Sequence, residues 1–265
     1  MRQLLLRRSL RRSARAIATI VLFTSGSLPY TAPAAAQKPE ALWYLRGEES
    51  IQSFLAHADR ISVVSPQVFE MDSTGIIRGS VDGRVIATAR AKHVKLVPLV
   101  MNPGFDQPSF HRVLTDSGAR ATALRSLAAL CRDHKFDGIQ FDFENIHVRD
   151  KDAFTSFTRA AADSVHRAGC TLSAAVVPRT GDDPGTGSYD RWIYDNWRGA
   201  YDYKALAEAL DFISYMTYAQ HTGGTTPGPV AGWPWSRAWT HASTSTPPLA
   251  SVSARPTSSA MPAVA

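Results

Sequence analysis

The sequence contains 265 residues, is 44% hydrophobic and carries a formal net charge of +6. This length is enough for one large domain or two small ones. Six arginines precede Gln37 and no acidic residue does, so the rest of the chain is formally neutral. A neutral domain gives no reason to expect a nucleic-acid partner, which would require a basic face on the folded chain.

Residues 1–36 have the order typical of a secretory signal peptide. Arginines come first, an apolar stretch covers 16–28, and three alanines at 34–36 provide a small-residue cleavage site. The apolar stretch is shorter than the roughly 20 residues that span a bilayer, so cleavage is favoured over an uncleaved membrane anchor. We therefore expect a periplasmic or secreted protein with no stable membrane span after the signal is removed.

Strands and helices alternate from about residue 41 onward. Short apolar segments predict six strands, at 41–45, 61–65, 94–101, 136–143, 171–177 and 212–218. Helical patterns lie between them at 50–57, 81–91, 118–134, 152–167 and 203–210. This alternation predicts an α/β fold with a parallel sheet, arranged either as an open doubly wound sheet or as a closed (β/α)8 TIM-type barrel.

The barrel is the favoured arrangement. No glycine-rich phosphate loop follows the first strand, and polar residues gather at the C-terminal ends of several strands, where barrel enzymes place their chemistry. About six of the eight βα units are recognisable, so we expect an incomplete barrel over 37–239. Residues 240–265 are mostly Ala, Ser, Thr and Pro and are predicted to be a disordered tail.

The two cysteines, Cys131 and Cys170, each lie just before a predicted strand. They do not form a metal-type Cys-x-x-Cys pair, and no cluster of His and Cys is present in the sequence. An oxidising compartment would allow them to pair. Two buried thiols that pack as small hydrophobic residues are the interpretation favoured here.

The fourth predicted strand, within Asp137–Glu144, carries the most informative pattern. Because side chains alternate along a strand, Gln140, Asp142 and Glu144 share one face and apolar residues share the other. A half-exposed strand would show the same alternation. In a covered parallel strand, however, an ionised Asp142 disfavours ionisation of Glu144, which keeps one acid protonated and its neighbour charged. Glycosidases need this division of labour.

The same segment, Asp137–Glu144, resembles the catalytic signature of the family 18 glycoside hydrolases, the chitinase-like enzymes. Tyr215–Tyr218 resembles their Met-x-Tyr-Asp motif, and 171–178 is similar to their fifth strand. Residues 228–235 are similar to the loop after the sixth strand in the branch that acts on bacterial cell walls and spore cortex. The resemblance covers about residues 41–238 and implies a barrel that lacks its seventh and eighth strands, as a truncated chain would.

The resemblance implies catalytic roles for three residues and no metal or organic cofactor. Glu144 would protonate the glycosidic oxygen. Asp142 would orient the N-acetyl group of the substrate, whose carbonyl oxygen attacks the sugar in place of an enzyme nucleophile. Tyr218 would bind that acetamido group, whereas Asp137 is expected to be structural.

Five further residues are candidates for substrate binding: Gln140, Asn102, Met216, Trp233 and Trp235. Gln140 stands where the family has an aspartate. Its side-chain amide can hydrogen-bond Asp142, but unlike an aspartate it cannot titrate. Trp233 and Trp235 either stack on sugar rings or anchor a long loop. Ala219 replaces the aspartate that usually follows Tyr218.

We therefore predict an exported retaining glycoside hydrolase that cleaves β-1,4-linked glycans containing N-acetylglucosamine, either peptidoglycan or chitin. The expected partner is the polysaccharide, and the expected state is a monomer. The alternatives are a chitinase-like protein that binds carbohydrate without cleaving it and an inactive truncated fragment. The presence of Glu144 favours the enzyme, because lectin-like relatives usually replace this acid.

Overall fold

The structure is a computed structural model that describes residues 40–179, 181–221 and 225–237. The predicted signal peptide and the predicted tail, 240–265, lie outside the described residues. Among the helices of the described part, none has the length and apolar character needed to cross a membrane.

The described residues form one mixed sheet covered by helices. The strands are β1 (Leu42–Leu45), β2 (Val63–Met71), β3 (Ile77–Arg78), β4 (Lys95–Leu96), β5 (Leu99–Met101), β6 (Gly138–Asp142), β7 (Thr171–Val176) and β8 (Phe212–Tyr215). The α-helices are α1 (Gly47–His57), α2 (Gly83–Ala91), α3 (Gln107–Thr115), α4 (Ser117–His134), α5 (Lys151–Arg167), α6 (Ser188–Ile193) and α7 (Tyr203–Ala209).

The strand order is β1-β2-β5-β6-β7-β8, and every neighbouring pair on this path is parallel. The hydroxyl of Tyr44 on β1 donates to Oγ of Ser214 on β8 over 2.9 Å. Because these strands lie at opposite ends of the order, the sheet must curl so that its two ends face each other across the interior. The result is a half-barrel with helices outside, which confirms the predicted incomplete (β/α)8 architecture.

The outer face of β6 packs against helices. Phe141 stacks on Phe157 of α5 at a ring-centroid distance of 6.0 Å. Phe143, just beyond the strand, stacks on Phe110 of α3 at 4.3 Å. All four rings are almost completely buried, and burying such a side chain contributes roughly 1.5–3 kcal/mol. The apolar half of the predicted alternation therefore forms the contact between sheet and helices.

Two proline-containing segments explain where the predicted strands differ from the observed ones. The third predicted strand is divided into β4 and β5 at Pro98, which has no N–H to donate to a sheet. The second strand instead runs on through Pro66 to Met71, with an irregular register between Gln67 and Phe69. Neither α3 nor α6 is predicted from the sequence, because both lie in segments rich in polar and turn-forming residues.

The expectation of two separate thiols was wrong. Cys131, in α4, and Cys170, directly before β7, form a disulfide with their Cα atoms 6.1 Å apart. Because β6 and β7 pair in parallel, the residues that precede these two strands lie side by side, and the cysteines meet there. The sequence allowed this pairing but could not show that these two strands are neighbours.

Candidate active site

Asp142 is the last residue of β6 and lies in the interior of the half-barrel, 5% exposed. Nε2 of Gln67, on β2, donates a long hydrogen bond of 3.4 Å to Oδ2 of Asp142. Burial raises the pKa of Asp142 to about 6, and this hydrogen bond partly opposes the increase. Asp142 is therefore mainly ionised at pH 7 although little solvent reaches it.

Glu144 follows two residues later and is half-buried. Burial, together with the neighbouring charge of Asp142, raises the pKa of Glu144 to about 8. At neutral pH this carboxyl group is mainly protonated and can donate a proton. The site thus pairs an acid with a carboxylate, and the two pKa values lie on either side of neutrality.

Two other side chains lie near Asp142: Gln140, two residues earlier on the same face of β6, and Tyr44 on β1. Nε2 of Gln140 donates to Oγ of Ser173 over 3.2 Å, while its Oε1 is fully buried and has no hydrogen-bond partner among the described residues. Burial raises the pKa of Tyr44, and the charge of Asp142 raises it further. Tyr44, which the sequence does not single out, therefore lies close to the carboxylate.

Three side chains hold the segment Phe143–Asn145, which we call the acid segment. Asn102, 1% exposed, uses Oδ1 to accept from the Glu144 N–H over 3.1 Å and Nδ2 to donate to the Glu144 carbonyl over 3.0 Å. The hydroxyl of Tyr201 donates to the Phe143 carbonyl over 2.8 Å. The third contact comes from Gln107, whose Nε2 donates to the Asn145 carbonyl over 3.1 Å.

The acid segment therefore leaves the sheet in a fixed conformation. Asn145 has a φ of 52°, in the left-handed region that Asn tolerates better than most residues. Its Nδ2 donates to the Phe105 carbonyl over 3.0 Å. Such preorganisation is what general acid catalysis requires, because the acid must lie within hydrogen-bond reach of the atom it protonates.

The motif after β8 approaches the same interior. Tyr218 is half-buried, and burial followed by the charge of Asp142 raises its pKa well above the ordinary value. Met216 is buried, and its N–H donates to the Val176 carbonyl over 3.0 Å. The two predicted tryptophans differ, since Trp233 is 70% exposed and Trp235 is half-buried.

Asp137 lies at the opposite end of β6 from the acid segment. Its Oδ2 accepts the N–H of Leu96 over 2.8 Å and so holds β4 beside β6. This is the structural role expected of it. In the part of the chain that the structure describes, no three His, Cys, Asp or Glu residues are grouped so as to hold a metal ion.

The sequence missed Gln67, Tyr44 and Tyr201. Gln67 follows Pro66, at which the predicted strand had already ended. Tyr201 lies in a connection that was not assigned to any element. A strand continued through Pro66 would have placed Gln67 in the middle of β2, where Leu99 of β5 lies opposite both Gln67 and Gln140 of the carboxylate strand.

Comparison with known proteins agrees with this geometry. Residues 54–261 match the model of the glycosyl hydrolases family 18. An uncharacterized glycosylase of Bacillus subtilis is 24% identical over 222 residues, covering 82% of this chain and 60% of that protein. The cortical fragment-lytic enzyme of Bacillus subtilis is 30% identical over 130 residues, which is 49% of this chain and 28% of that enzyme.

Two solved structures share the fold. The spore cortex-lytic enzyme SleL of Bacillus cereus has a TM-score of 0.71 at 19% identity, covering 80% of this chain and 49% of that one. A class V chitininase of Pseudomonas fluorescens has a TM-score of 0.66 at 27% identity, covering 79% of this chain and 66% of that one. This chain thus spans only part of the relatives it matches. The family model covers most of the sequence and includes the carboxylate strand, so the chain belongs to the glycosyl hydrolases family 18.

Proposed function

We propose that the chain hydrolyses β-1,4-linked glycans that contain N-acetylglucosamine. The observation that carries the proposal is the pair formed by the buried Asp142 and the half-buried Glu144 at the same end of β6, with pKa values raised to about 6 and about 8. Relatives are named as cortical fragment-lytic enzymes and as a chitininase, which supports peptidoglycan or chitin as the substrate class.

In the proposed reaction the substrate supplies its own nucleophile. Glu144 donates its proton to the glycosidic oxygen as the bond to the anomeric carbon breaks, and the acetamido oxygen of the same sugar bonds to that carbon. The positive charge that develops on the acetamido group lies beside the carboxylate of Asp142. Glu144, now ionised, then takes a proton from the water that opens the cyclic intermediate. Two displacements at one carbon retain the anomeric configuration.

The other site residues would bind and position the substrate. Tyr218, close enough to Asp142 to be affected by its charge, would donate its hydroxyl to the acetamido oxygen. Gln140 and Met216 would line the interior below this sugar, and the exposed Trp233 with the half-buried Trp235 would contact rings farther along the glycan. Asn102 lies where a substrate contact was expected, but both ends of its amide bind the backbone of Glu144, so we assign it to positioning the acid.

The proposed location is the periplasm or the exterior of the cell. The disulfide between Cys131 and Cys170 supports this, because such bonds form and persist in oxidising compartments.

The test is product analysis with the full chain on soluble chito-oligosaccharides and on purified peptidoglycan. Proton NMR during the reaction would show the configuration of the newly formed reducing end. Retention is expected, whereas inversion would exclude the acetamido-assisted route. Binding of both glycans without any product would instead favour the alternative of a non-catalytic carbohydrate-binding protein.

A further inference from the structure

The connection between β7 and α7 projects from the active-site end of the sheet. We call residues 181–201 the β7 arm; it contains α6 and a π-helical turn, Tyr194–Arg198, that continues directly from it. Turns of this kind occur frequently at functional sites. The arm leaves the C-terminal end of its strand, as do the loops that carry substrate contacts in barrel enzymes.

Arg179 closes the base of the β7 arm. Its guanidinium donates to the Arg198 carbonyl over 3.0 Å and to the Tyr201 carbonyl, and it lies 4.4 Å from the ring centroid of Tyr203. It also pairs with Asp182 at the start of the arm over 2.7 Å. Arg179 itself is only 8% exposed, so its contacts at the end of the arm are buried, whereas its ion-pair partner Asp182 at the start of the arm has a side chain that is 80% exposed. The two ends of the arm are thus joined through one side chain.

The β7 arm is also connected to the acid segment. Gln107 donates from Nε2 to Oδ1 of Asn196 over 3.3 Å and, from the same group, to the Asn145 carbonyl over 3.1 Å. Asn196 in turn donates to the Trp192 carbonyl over 2.9 Å. Hydrogen bonds therefore connect the residue next to Glu144 with the backbone of α6. The outer surface of the arm is held at a fixed position relative to the acid.

That outer surface presents two aromatic rings to solvent. Tyr189 is 70% exposed and Trp192 is 51% exposed. They are three residues apart on α6, so they share a face, and their rings are nearly parallel, with centroids 6.2 Å apart and an angle of 23°. Asp190 and Arg191, between them in sequence, are exposed as well. Two exposed, nearly parallel rings on one face of a helix form an apolar surface with charged residues nearby in the same turn.

We propose that Tyr189 and Trp192 bind sugar rings of the glycan at a distance from the bond that is cleaved. This inference rests on the proposed function, since the ligand is the same polysaccharide. A pyranose ring has an apolar face of C–H groups that suits an aromatic face, and its rim of hydroxyls suits neighbouring charges. The connection of the β7 arm to the acid segment would keep this platform in register with Glu144, so that a long glycan contacts both while a short one reaches only the acid.

The test measures binding without turnover, in the full chain carrying Glu144→Gln. Titration calorimetry would compare the N-acetylglucosamine hexamer and dimer, with and without the further changes Tyr189→Ala and Trp192→Ala. We expect the alanine pair to weaken hexamer binding about tenfold and to leave dimer binding unchanged. The variant Tyr189→Phe with Trp192→Phe keeps both rings and should retain most of the hexamer affinity.

Several outcomes would overturn the inference. These are equal hexamer affinity with and without the rings, an equal loss for dimer and hexamer, or no binding of either glycan. A change in sedimentation behaviour without a change in glycan affinity would show that the rings join copies of the chain instead. Hydrolysis by the wild-type chain is measured separately, so ring-dependent binding without turnover would contradict the proposed function and leave the platform intact.

Discussion

The two faces of β6 are both buried, yet they have opposite effects on the molecule. On the outer face, the rings of Phe141 and Phe157 lie within a continuous apolar core. On the inner face, Gln140 has a buried oxygen without a partner among the described residues, and Asp142 receives one long hydrogen bond from Gln67. Burial with matched partners stabilises a fold, whereas burial with incomplete partners raises the pKa of the carboxyl groups.

This difference indicates that stability and reactivity are separated across a single strand. Substitutions on the inner face should change activity far more than stability, and substitutions on the outer face should do the reverse.

Replacing Glu144 by Gln should lower kcat by about 10²–10⁴-fold, because the general acid is lost while the shape of the side chain is kept. The midpoint of thermal unfolding at pH 7 should not fall and should rise, because Gln removes the cost of placing in the fold a carboxyl group whose pKa burial raises to about 8. Hydrolysis of chito-oligosaccharides and a thermal melt are the measurements, and Glu49→Gln on the exposed surface of α1 is the matched control. Equal rates in both variants would remove Glu144 from the chemistry.

On the outer face, Phe157→Ala should reduce the free energy of unfolding by about 3–5 kcal/mol, since it leaves a cavity among fully buried rings. Phe157→Leu is the control and should cost much less. Urea unfolding followed by circular dichroism measures both variants. A loss below about 1 kcal/mol for the alanine variant would show that the outer face contributes less than its burial implies.

The pH dependence of kcat/KM should be bell-shaped. Ionised Asp142 is required, so the rate should fall about tenfold per unit below its pKa of about 6. Protonated Glu144 is required, so the rate should fall similarly above its pKa of about 8. Initial rates between pH 4 and pH 10 provide the check, and a flat profile across this range would contradict the assignment of the two roles.

Asn102→Ala should weaken the fixed geometry of the acid segment. It removes two hydrogen bonds to the backbone of Glu144 and should cost about 1–3 kcal/mol of stability. We also expect kcat to fall several-fold while KM for the N-acetylglucosamine trimer changes little, because the acid is displaced and the sugar contacts remain. Asn102→Asp keeps one acceptor and serves as the comparison. A rise in KM with unchanged kcat would instead indicate direct contact with substrate.

The smallest expected change in the free energy of unfolding is a gain, from replacing Asp142. The pKa of Asp142 is raised in the folded chain from the ordinary 3.8 to about 6. Ionisation therefore disfavours folding, and stability falls as the pH rises through this window. Asp142→Asn should remove this cost and increase the free energy of unfolding at pH 7 by about 1–2 kcal/mol while abolishing activity. If Asp142→Asn and the wild type had the same free energy of unfolding at pH 7 as well as at pH 4, the carboxyl group would carry no buried charge.

The alternation of β6 could be predicted from the sequence because it depends only on the two-residue period of a strand. Most of what surrounds the acids could not. Gln67 depends on a strand that continues through a proline, and Tyr44 reaches the site only because the sheet curls until its two ends face each other. The role of Asn102 depends on the parallel register between β5 and β6, and such long-range pairing leaves no local pattern.

The disulfide between Cys131 and Cys170 has a consequence for how the chain must be handled. The 39-residue separation encloses all of β6, the acid segment and α5 within one covalent loop. By restricting the unfolded chain, a crosslink of this span contributes about 4 kcal/mol in the chain-entropy description. Material made in a reducing cytosol would lack this tether, so its refolding yield and shelf life should depend on whether oxidant is supplied before the first assay.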